Sequence, residues 1–355
     1  MIFPQLEKMV DLFLERGFTY FDTAYMYHDF QSEIALRKAL VERYPRDSFT
    51  VADKMPTMML KEKEDIPRIF SEQLEKTAAG YFDYYLMHNI NANTYPAAQR
   101  LDGFSFLQQK KQEGLIKVIG FSFHDKVELL EQVLSDHPEV DFVQLQINYL
   151  DWKSPAIQSQ KCYDMVRSAG KKIMVMEPVK GGTLAKDQLP QEVVELFREE
   201  HPDWSAPGWA IRFAADLEGV QTVLSGMSNM EQLEDNTSYM QNFTGLSGQE
   251  HRVIENAAGQ IQSSVAIACT ACQYCVEGCP VKIDIPGFFS LYNSEKRAAS
   301  RGFSINRAYY ANTIRDHAKA SDCIKCGKCE TACPQHLKIR NNLEMVADTF
   351  ETAVS

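Results

Sequence analysis

The chain has 355 residues, 45% hydrophobic and 24% charged, an ordinary globular balance with room for more than one domain. Its 37 Lys plus Arg against 48 Asp plus Glu leave a net charge of -11, which repels a phosphate backbone and argues against a nucleic-acid partner. No run of about 18 apolar residues occurs, so length alone excludes a membrane-spanning helix.

From residue 1 to about 246, amphipathic helical patterns alternate with short apolar runs rich in β-branched and aromatic residues, the rhythm of a parallel sheet. The chain opens in a helical pattern, Leu6 to Arg16. The predicted strands are Phe18 to Ala24, Phe49 to Lys54, Tyr81 to His88, Lys117 to Phe123, Val140 to Asn148, Lys171 to Pro178 and Val220 to Gly226. Being continuously apolar, they suit strands buried on both faces. Helices such as Phe104 to Glu113 and Val127 to Ser135 lie between them, and Gly17, Gly80 and Gly114 end helical stretches. The expected fold is an α/β barrel of the TIM (β/α)8 type lacking its first strand. The missing strand would leave the first and last strands of the chain facing a gap, so we expect the natural product to begin upstream of Met1. Restoring about 30 residues, one βα unit, should raise stability.

Past the last strand, Ser247-x-x-Glu250 is a capping-box pattern that starts a polar helix. The expected boundary therefore divides a barrel, 1–246, from a mainly helical domain, 247–355, closed by a helix over Leu337 to Val354. Eight of the nine cysteines fall in this second part, as Cys269-x2-Cys272-x2-Cys275-x3-Cys279-Pro280 and Cys323-x2-Cys326-x2-Cys329-x3-Cys333-Pro334. Two intervening residues let a chain wrap one cubane with three thiolates, while the fourth cysteine is carried to the other cluster, so the pattern predicts two 4Fe-4S clusters. Zinc needs only four ligands in pairs, and disulfides need an oxidising compartment. The N-terminus, Met1-Ile-Phe-Pro-Gln-Leu-Glu-Lys, shows neither the basic start nor the apolar run of a secretory signal, which places the expected protein in the cytoplasm. The ninth cysteine, Cys162, reads as a small buried apolar residue.

In a barrel, catalytic groups gather at the C-terminal strand ends. Three successive strand ends carry Asp22 and Tyr27, Lys54, and His88. A tyrosine is a poor acid near neutral pH, but a neighbouring ammonium favours phenolate, and Lys54 held by Asp22 is placed to supply it. Tyr25 is a weaker rival acid.

Asp22-x4-Tyr27, Lys54 and His88 at strand ends resemble the tetrad of the aldo/keto reductases. Further matches are Asp22-Thr23-Ala24, Ser32-Glu33, Ile119-Gly120-Phe121-Ser122 and Ser225-Gly226-Met227-Ser228 followed by Glu231-Gln232-Leu233-Glu234-Asp235-Asn236. The resemblance covers about residues 5–240, and the whole chain is similar to the subgroup with a C-terminal ferredoxin-type 4Fe-4S domain. Its wide motif spacing looks like the helical ferredoxin module of redox enzymes.

The resemblance implies that Tyr27 protonates a substrate carbonyl oxygen, that Lys54 and Asp22 tune it, and that His88 orients the carbonyl. It implies hydride from NADP or NAD, with Ser122 and Gln146 at the nicotinamide carboxamide. Gly181 and Gly182, and the stretch of Gly226, Ser228 and Asn229, would cradle the pyrophosphate with backbone N–H groups. Some positions depart from the family pattern. Phe123 replaces the asparagine common after Ser122, Met176 the aromatic that often stacks on the nicotinamide, and Gly226 and Gln232 the basic pair that often grips a 2'-phosphate. Specificity is expected from the loops Asn91 to Leu101 and Leu150 to Gln158.

Two functions compete on these grounds. One is an oxidoreductase acting on a small carbonyl or alcohol, whose clusters trade single electrons with a flavoprotein or another electron-transfer partner. The other is an electron-transfer protein whose barrel is a catalytically degenerate docking scaffold.

Overall fold

The computed structural model describes residues 3–185, 189–263, 266, 267, 269, 271, 273–297, 304–333 and 337–352. Cys272, Pro334 and the end of the expected closing helix at Val354 lie outside them. The chain divides into two compact units: 1–146 with 161–178 and 214–245, and 147–160 with 179–213 and 246–355.

The first unit holds seven strands in sequence order: β1 (Tyr20–Asp22), β2 (Thr50–Met55), β3 (Phe82–Ile90), β4 (Ile116–Phe123), β5 (Phe142–Gln146), β6 (Lys172–Met176) and β7 (Val220–Val223). Each pairs in parallel with the next, giving a curled half-barrel in which β1 and β7, among the described residues, each pair on one side only. All seven expected strands are present.

Side chains alternate across a strand, so register decides which residues share a face. Asp22 lies opposite Ala52, Lys54 opposite Leu86, Leu86 opposite Gly120, and Ser122 opposite Gln144. On that face Leu86, Phe142 and Met174 form a buried cluster against Tyr20, Tyr84 and Val118. Gly120 makes room for it, since a Cβ there would lie 2.4 Å from Phe142 O and 2.6 Å from its ring. The same parity carried to the strand ends presents Asp22, Lys54, His88, Ser122 and Gln146. The opposite face packs on helices, with Phe70 of the helix Asp65–Thr77 edge-on to Tyr85 at 5.1 Å and Phe104 of Gly103–Gln112 against Phe121 at 6.1 Å.

In the second unit the capping box forms as its sequence dictates. Ser247 N–H donates to Glu250 Oε2 at 2.5 Å, and Glu250 N–H donates to Ser247 Oγ at 3.2 Å, starting the helix Gly248–Ser263. The core of this unit centres on Phe288 and Phe289 of the helix Ile285–Arg297, with Tyr310, Leu343, Val346 and the buried cysteines Cys275, Cys329 and Cys333. Tyr310 stacks on Phe350 of the closing helix Ile339–Phe350 at 4.9 Å. Ala156 and Ile157, from the segment after β5, belong to the same core.

Candidate active site and cluster-binding cavity

Lys54 is fully buried at the end of β2. Its Nζ donates to Asp22 Oδ1 at 2.5 Å and to the Thr23 carbonyl at 2.6 Å, and lies 4.7 Å from the centre of the Tyr27 ring. Tyr27 meets His88 edge-on at 5.8 Å. The four residues expected to converge are thus drawn together, on the ends of β1, β2 and β3 and the loop after β1. That loop is held in an unusual form: His28, Asp29 and Phe30, with φ of 51°, 53° and 65°, are left-handed non-glycine residues in succession. Such backbone costs about 1–2 kcal/mol per residue. β3 is also irregular here, its pairing with β4 shifting between Met87 and Ile90 while Asn89 adopts φ 60°. A bulge of this kind re-aims a strand-end side chain, in this case His88.

Burial pulls the Lys54 ammonium down, but the Asp22 carboxylate and its hydrogen bond, with electrostatic support from Tyr27 and Asp53, outweigh it and hold the group above its ordinary value. Lys54 is therefore a fixed cation. Burial, reinforced by the Lys54 charge and by His124, drives His88 well below the usual imidazole range, so it is neutral. Its Nδ1 is buried with no hydrogen-bond partner.

Tyr27 differs from the sequence expectation. The Lys54 charge is the largest influence and lowers its pKa, yet desolvation of the hydroxyl, with Asp22 and Glu177, raises the phenol above its ordinary value, although the residue as a whole is 39% exposed. The group is kept as a protonated donor rather than drawn towards phenolate. Tyr25, the rival acid, is committed elsewhere: its hydroxyl donates to Glu72 Oε2 at 2.7 Å and its ring lies 4.0 Å below Lys76 Nζ.

Ser122 and Gln146 are buried at the ends of β4 and β5, and Ser122 Oγ accepts the Asn89 N–H at 2.7 Å. Gln144 Nε2 reaches Met176 Sδ at 3.4 Å. In the loop before the helix Met230–Met240, Asn229 caps the helix by accepting the Gln232 N–H at 2.9 Å, and Gln232 Oε1 takes the Ser228 N–H at 2.7 Å. A phosphate reaching Ser228 has to displace that oxygen. Gly226 has nothing within 4 Å of where a Cβ would stand, so the loop is open there. Gly181 and Gly182 lie in the second unit with φ of 59° and 92°, beside Lys180, whose Nζ forms a buried 2.5 Å ion pair with Asp151. The expected specificity loop Leu150 to Gln158 also belongs to the second unit.

Sequence reasoning missed a buried carboxyl pair behind Lys54. Asp53 and Glu33 are both fully buried. Asp53 Oδ1 accepts from the Lys54 N–H at 2.8 Å and from Gln73 Nε2 at 2.9 Å, while Tyr85 donates to Gln73 Oε1. Asp53 Oδ2 and both Glu33 oxygens lack hydrogen-bond partners, although Lys76 Nζ stands 3.4 Å from Glu33. The available signal was Asp53 itself, an acid in the middle of a strand whose neighbour Lys54 occupies the opposite face. Burial raises both carboxyls above their ordinary range. The folded chain then retains protons that the unfolded chain releases near about pH 4, so the pair's contribution to stability is full below that pH and is lost as pH rises through the folded values. Glu33→Gln removes one of these titrations. Its melting temperature should fall less than the parent's between about pH 4 and about pH 7, and parallel curves would refute the assignment.

In the second unit, Cys279 lines one cavity together with Cys323, Cys326 and Cys329, accompanied by Ile324, Gly327 and Arg340. Four cysteines drawn from both motifs therefore line one common space that opens to solvent. Backbone N–H groups already point at sulfur: Ile283 to Cys279 Sγ at 3.4 Å and Ala271 to Cys269 Sγ at 3.5 Å. The donor set suits an iron-sulfur cubane, which takes four thiolates. Among the described residues, no three His, Cys, Asp or Glu side chains are gathered as they would be for a single metal ion. Cys275 and Cys333 are buried, Cys269 is half-buried, and Cys272 is outside the described residues. Cys162 is buried too, its Sγ 3.9 Å from the Asp125 carbonyl, and burial with Glu128 and Asp125 pushes its thiol up to about 12.

A model of the aldo/keto reductase family matches residues 1–258, and a model of a 4Fe-4S dicluster domain matches residues 235–338. No curated protein matches the chain. Solved structures do. The holo form of an aldo-keto reductase from Bacillus halodurans is 23% identical, with 71% of this chain and 86% of that one covered and a TM-score of 0.57. An aldo-keto reductase from Klebsiella pneumoniae in complex with NADPH is 19% identical, covering 72% and 84%, again with a TM-score of 0.57. One from Brucella melitensis is 17% identical, covering 72% and 89%, with a TM-score of 0.54. These likenesses show the shared barrel fold.

Proposed function

The chain belongs to the aldo/keto reductase family and is an iron-sulfur oxidoreductase, and from that premise we propose that it interconverts a small carbonyl compound and its alcohol. We assign the reductase part to 1–246 and to 247–355 two 4Fe-4S clusters that carry single electrons. The observation that carries the carbonyl reading is the Lys54 cation, buried 2.5 Å from Asp22 and 4.7 Å from the Tyr27 ring, beside a neutral His88.

A carbonyl oxygen placed between Tyr27 and His88 gains negative charge as its carbon is reduced. Tyr27, protonated in the resting site, donates to that oxygen. Lys54 steadies the phenolate left behind, and Asp22 and the Thr23 carbonyl hold Lys54 in place. His88 orients the carbonyl as a neutral donor. In the reverse direction the same tyrosine accepts the alcohol proton. A bound nicotinamide would supply the hydride, as the NADPH of the Klebsiella pneumoniae relative suggests. Ser122 and Gln146 would hold its carboxamide, and Gly226, Ser228 and Asn229 its phosphates.

Anaerobic turnover of a panel of aldehydes with NADPH and with NADH tests this reading. Iron-loaded protein that turns over none of them with either cofactor would leave the barrel as a scaffold.

For the clusters, we assign Cys279 to the one held by Cys323, Cys326 and Cys329, and Cys333 to the one held by Cys269, Cys272 and Cys275. The parent should hold eight irons and eight acid-labile sulfides. Cys279→Ser should chiefly alter one of two electron paramagnetic resonance signals, the same one altered by Cys326→Ser. If the two variants alter different signals, the crossed ligation is wrong.

A further inference from the structure

We propose that the surface around Ile324 and Cys326 is the docking site for a small acidic one-electron carrier protein bearing a flavin. This rests on the reading that the clusters carry electrons. Among the described cluster cysteines Cys326 is the exposed one, so it is the residue at which the cavity shared by Cys279, Cys323, Cys326 and Cys329 meets the surface. Ile324, which lines that cavity, is 61% exposed, more than any other large hydrophobic residue described. A single exposed isoleucine is ordinary. One standing beside an exposed cluster thiol is the apolar centre expected of a contact patch, where water must be excluded between two redox groups.

The rim is basic on an acidic chain. Lys325 separates Ile324 from Cys326, Arg340 lines the cavity, Lys328 lies over Gly278 beside Cys279, and Lys338 precedes the helix that carries Arg340. Two acids face them: Glu344 pairs with Lys325 at 2.6 Å, and Glu330 pairs with Arg340 at 2.8 Å. Lys328 and Lys338 are exposed and, among the described residues, in no ion pair, so the rim keeps a positive excess. The chain as a whole carries -11. An acidic partner is then repelled over most of the surface and attracted at this rim, which orients the encounter.

The chemistry favours a flavin in the partner. A nicotinamide releases two electrons as a hydride, whereas a cluster takes one, and a flavin can deal in either. In the exchange the partner's reduced flavin loses one electron and the cluster gains it, and no bond forms or breaks.

The test uses the iron-loaded full chain, with a purified acidic flavodoxin as the probe. Calorimetric titration of the two oxidised proteins should give a Kd that weakens with added salt. Lys328→Glu, matched to the parent in iron and sulfide content, should weaken it at least about tenfold at low salt. Ile324→Ser should weaken it with the salt dependence retained. Stopped-flow reduction of the clusters by reduced flavodoxin should slow in both variants, while reduction by dithionite keeps its extent. Equal affinity of parent and Lys328→Glu, or binding insensitive to salt, would overturn the surface. Binding of an acidic ferredoxin in place of flavodoxin would overturn the flavin partner. Clusters that dithionite cannot reduce would instead remove the electron-carrying reading on which the surface rests.

Discussion

Tyr27→Phe is expected to lose carbonyl reduction by about 10²- to 10⁴-fold, the usual worth of a general acid, while Kd for the nicotinamide stays nearly unchanged. The substitution deletes one hydroxyl and keeps the ring, so the packing of Tyr27 against His88 and over Lys54 survives. The other anchors of Lys54 are independent of that hydroxyl, since its Nζ is held by Asp22 and the Thr23 carbonyl. Ser122 and Gln146, proposed for the carboxamide, sit on β4 and β5 and not on the loop that carries Tyr27. The loss should therefore fall on kcat and not on cofactor affinity. Tyr25→Phe is the control, because that hydroxyl is spent on Glu72. Turnover by Tyr27→Phe at the parent rate, or loss of turnover on Tyr25→Phe alone, would move the acid to another residue.

What is legible in the sequence is periodic. Seven apolar runs mark seven strands, and because a strand has a period of two, a polar residue at each strand end can be assigned to one face from its position in the run alone. Asp22, Lys54 and His88 stand out that way, and the sulfur spacing gives the cysteine pattern. The illegible parts are non-local. The sign of the Tyr27 shift depends on burial and on Glu177, a residue about 150 positions away that only the curl of the sheet brings into range. The left-handed turn at His28, Asp29 and Phe30 carries no glycine, so the residues themselves give no warning of it. Glu33 meets Asp53 through the packing of helices on β2, which the strand pattern does not encode. Likewise, the segment 147–160 reads as one more barrel loop, yet two of its hydrogen bonds reach residues more than a hundred positions later.

That segment carries the second large expected effect. Anaerobic removal of iron should unfold much of the second unit, and 147–160 with it. The reason lies in what the cysteines are embedded in: Cys275, Cys329 and Cys333 are part of the same buried core as Phe288, Phe289, Tyr310 and Leu343. Without cubanes to draw both motifs together, that core has to enclose unliganded thiols around an open cavity, and metal-binding free energy in such small domains is folding free energy. Residues 147–160 depend on this core. Ala156 and Ile157 are inserted in it, Ser154 Oγ lies 3.2 Å from Ser290 Oγ, and the Leu150 carbonyl accepts from Gln262 at 3.3 Å. Hydrogen exchange followed by mass spectrometry reads the outcome segment by segment. Amides in Ile285–Arg297, in Ile339–Phe350 and in 147–160 should exchange at least about a hundredfold faster in iron-free protein, because core protection in a folded domain reflects a global stability of roughly 5–15 kcal/mol. Amides in β2, β3 and β4 should keep their protection, since their ladder partners and the helices packed on them lie in the first unit. If 147–160 stays protected while the two helices open, the segment folds without the clusters, and its place in their core is incidental.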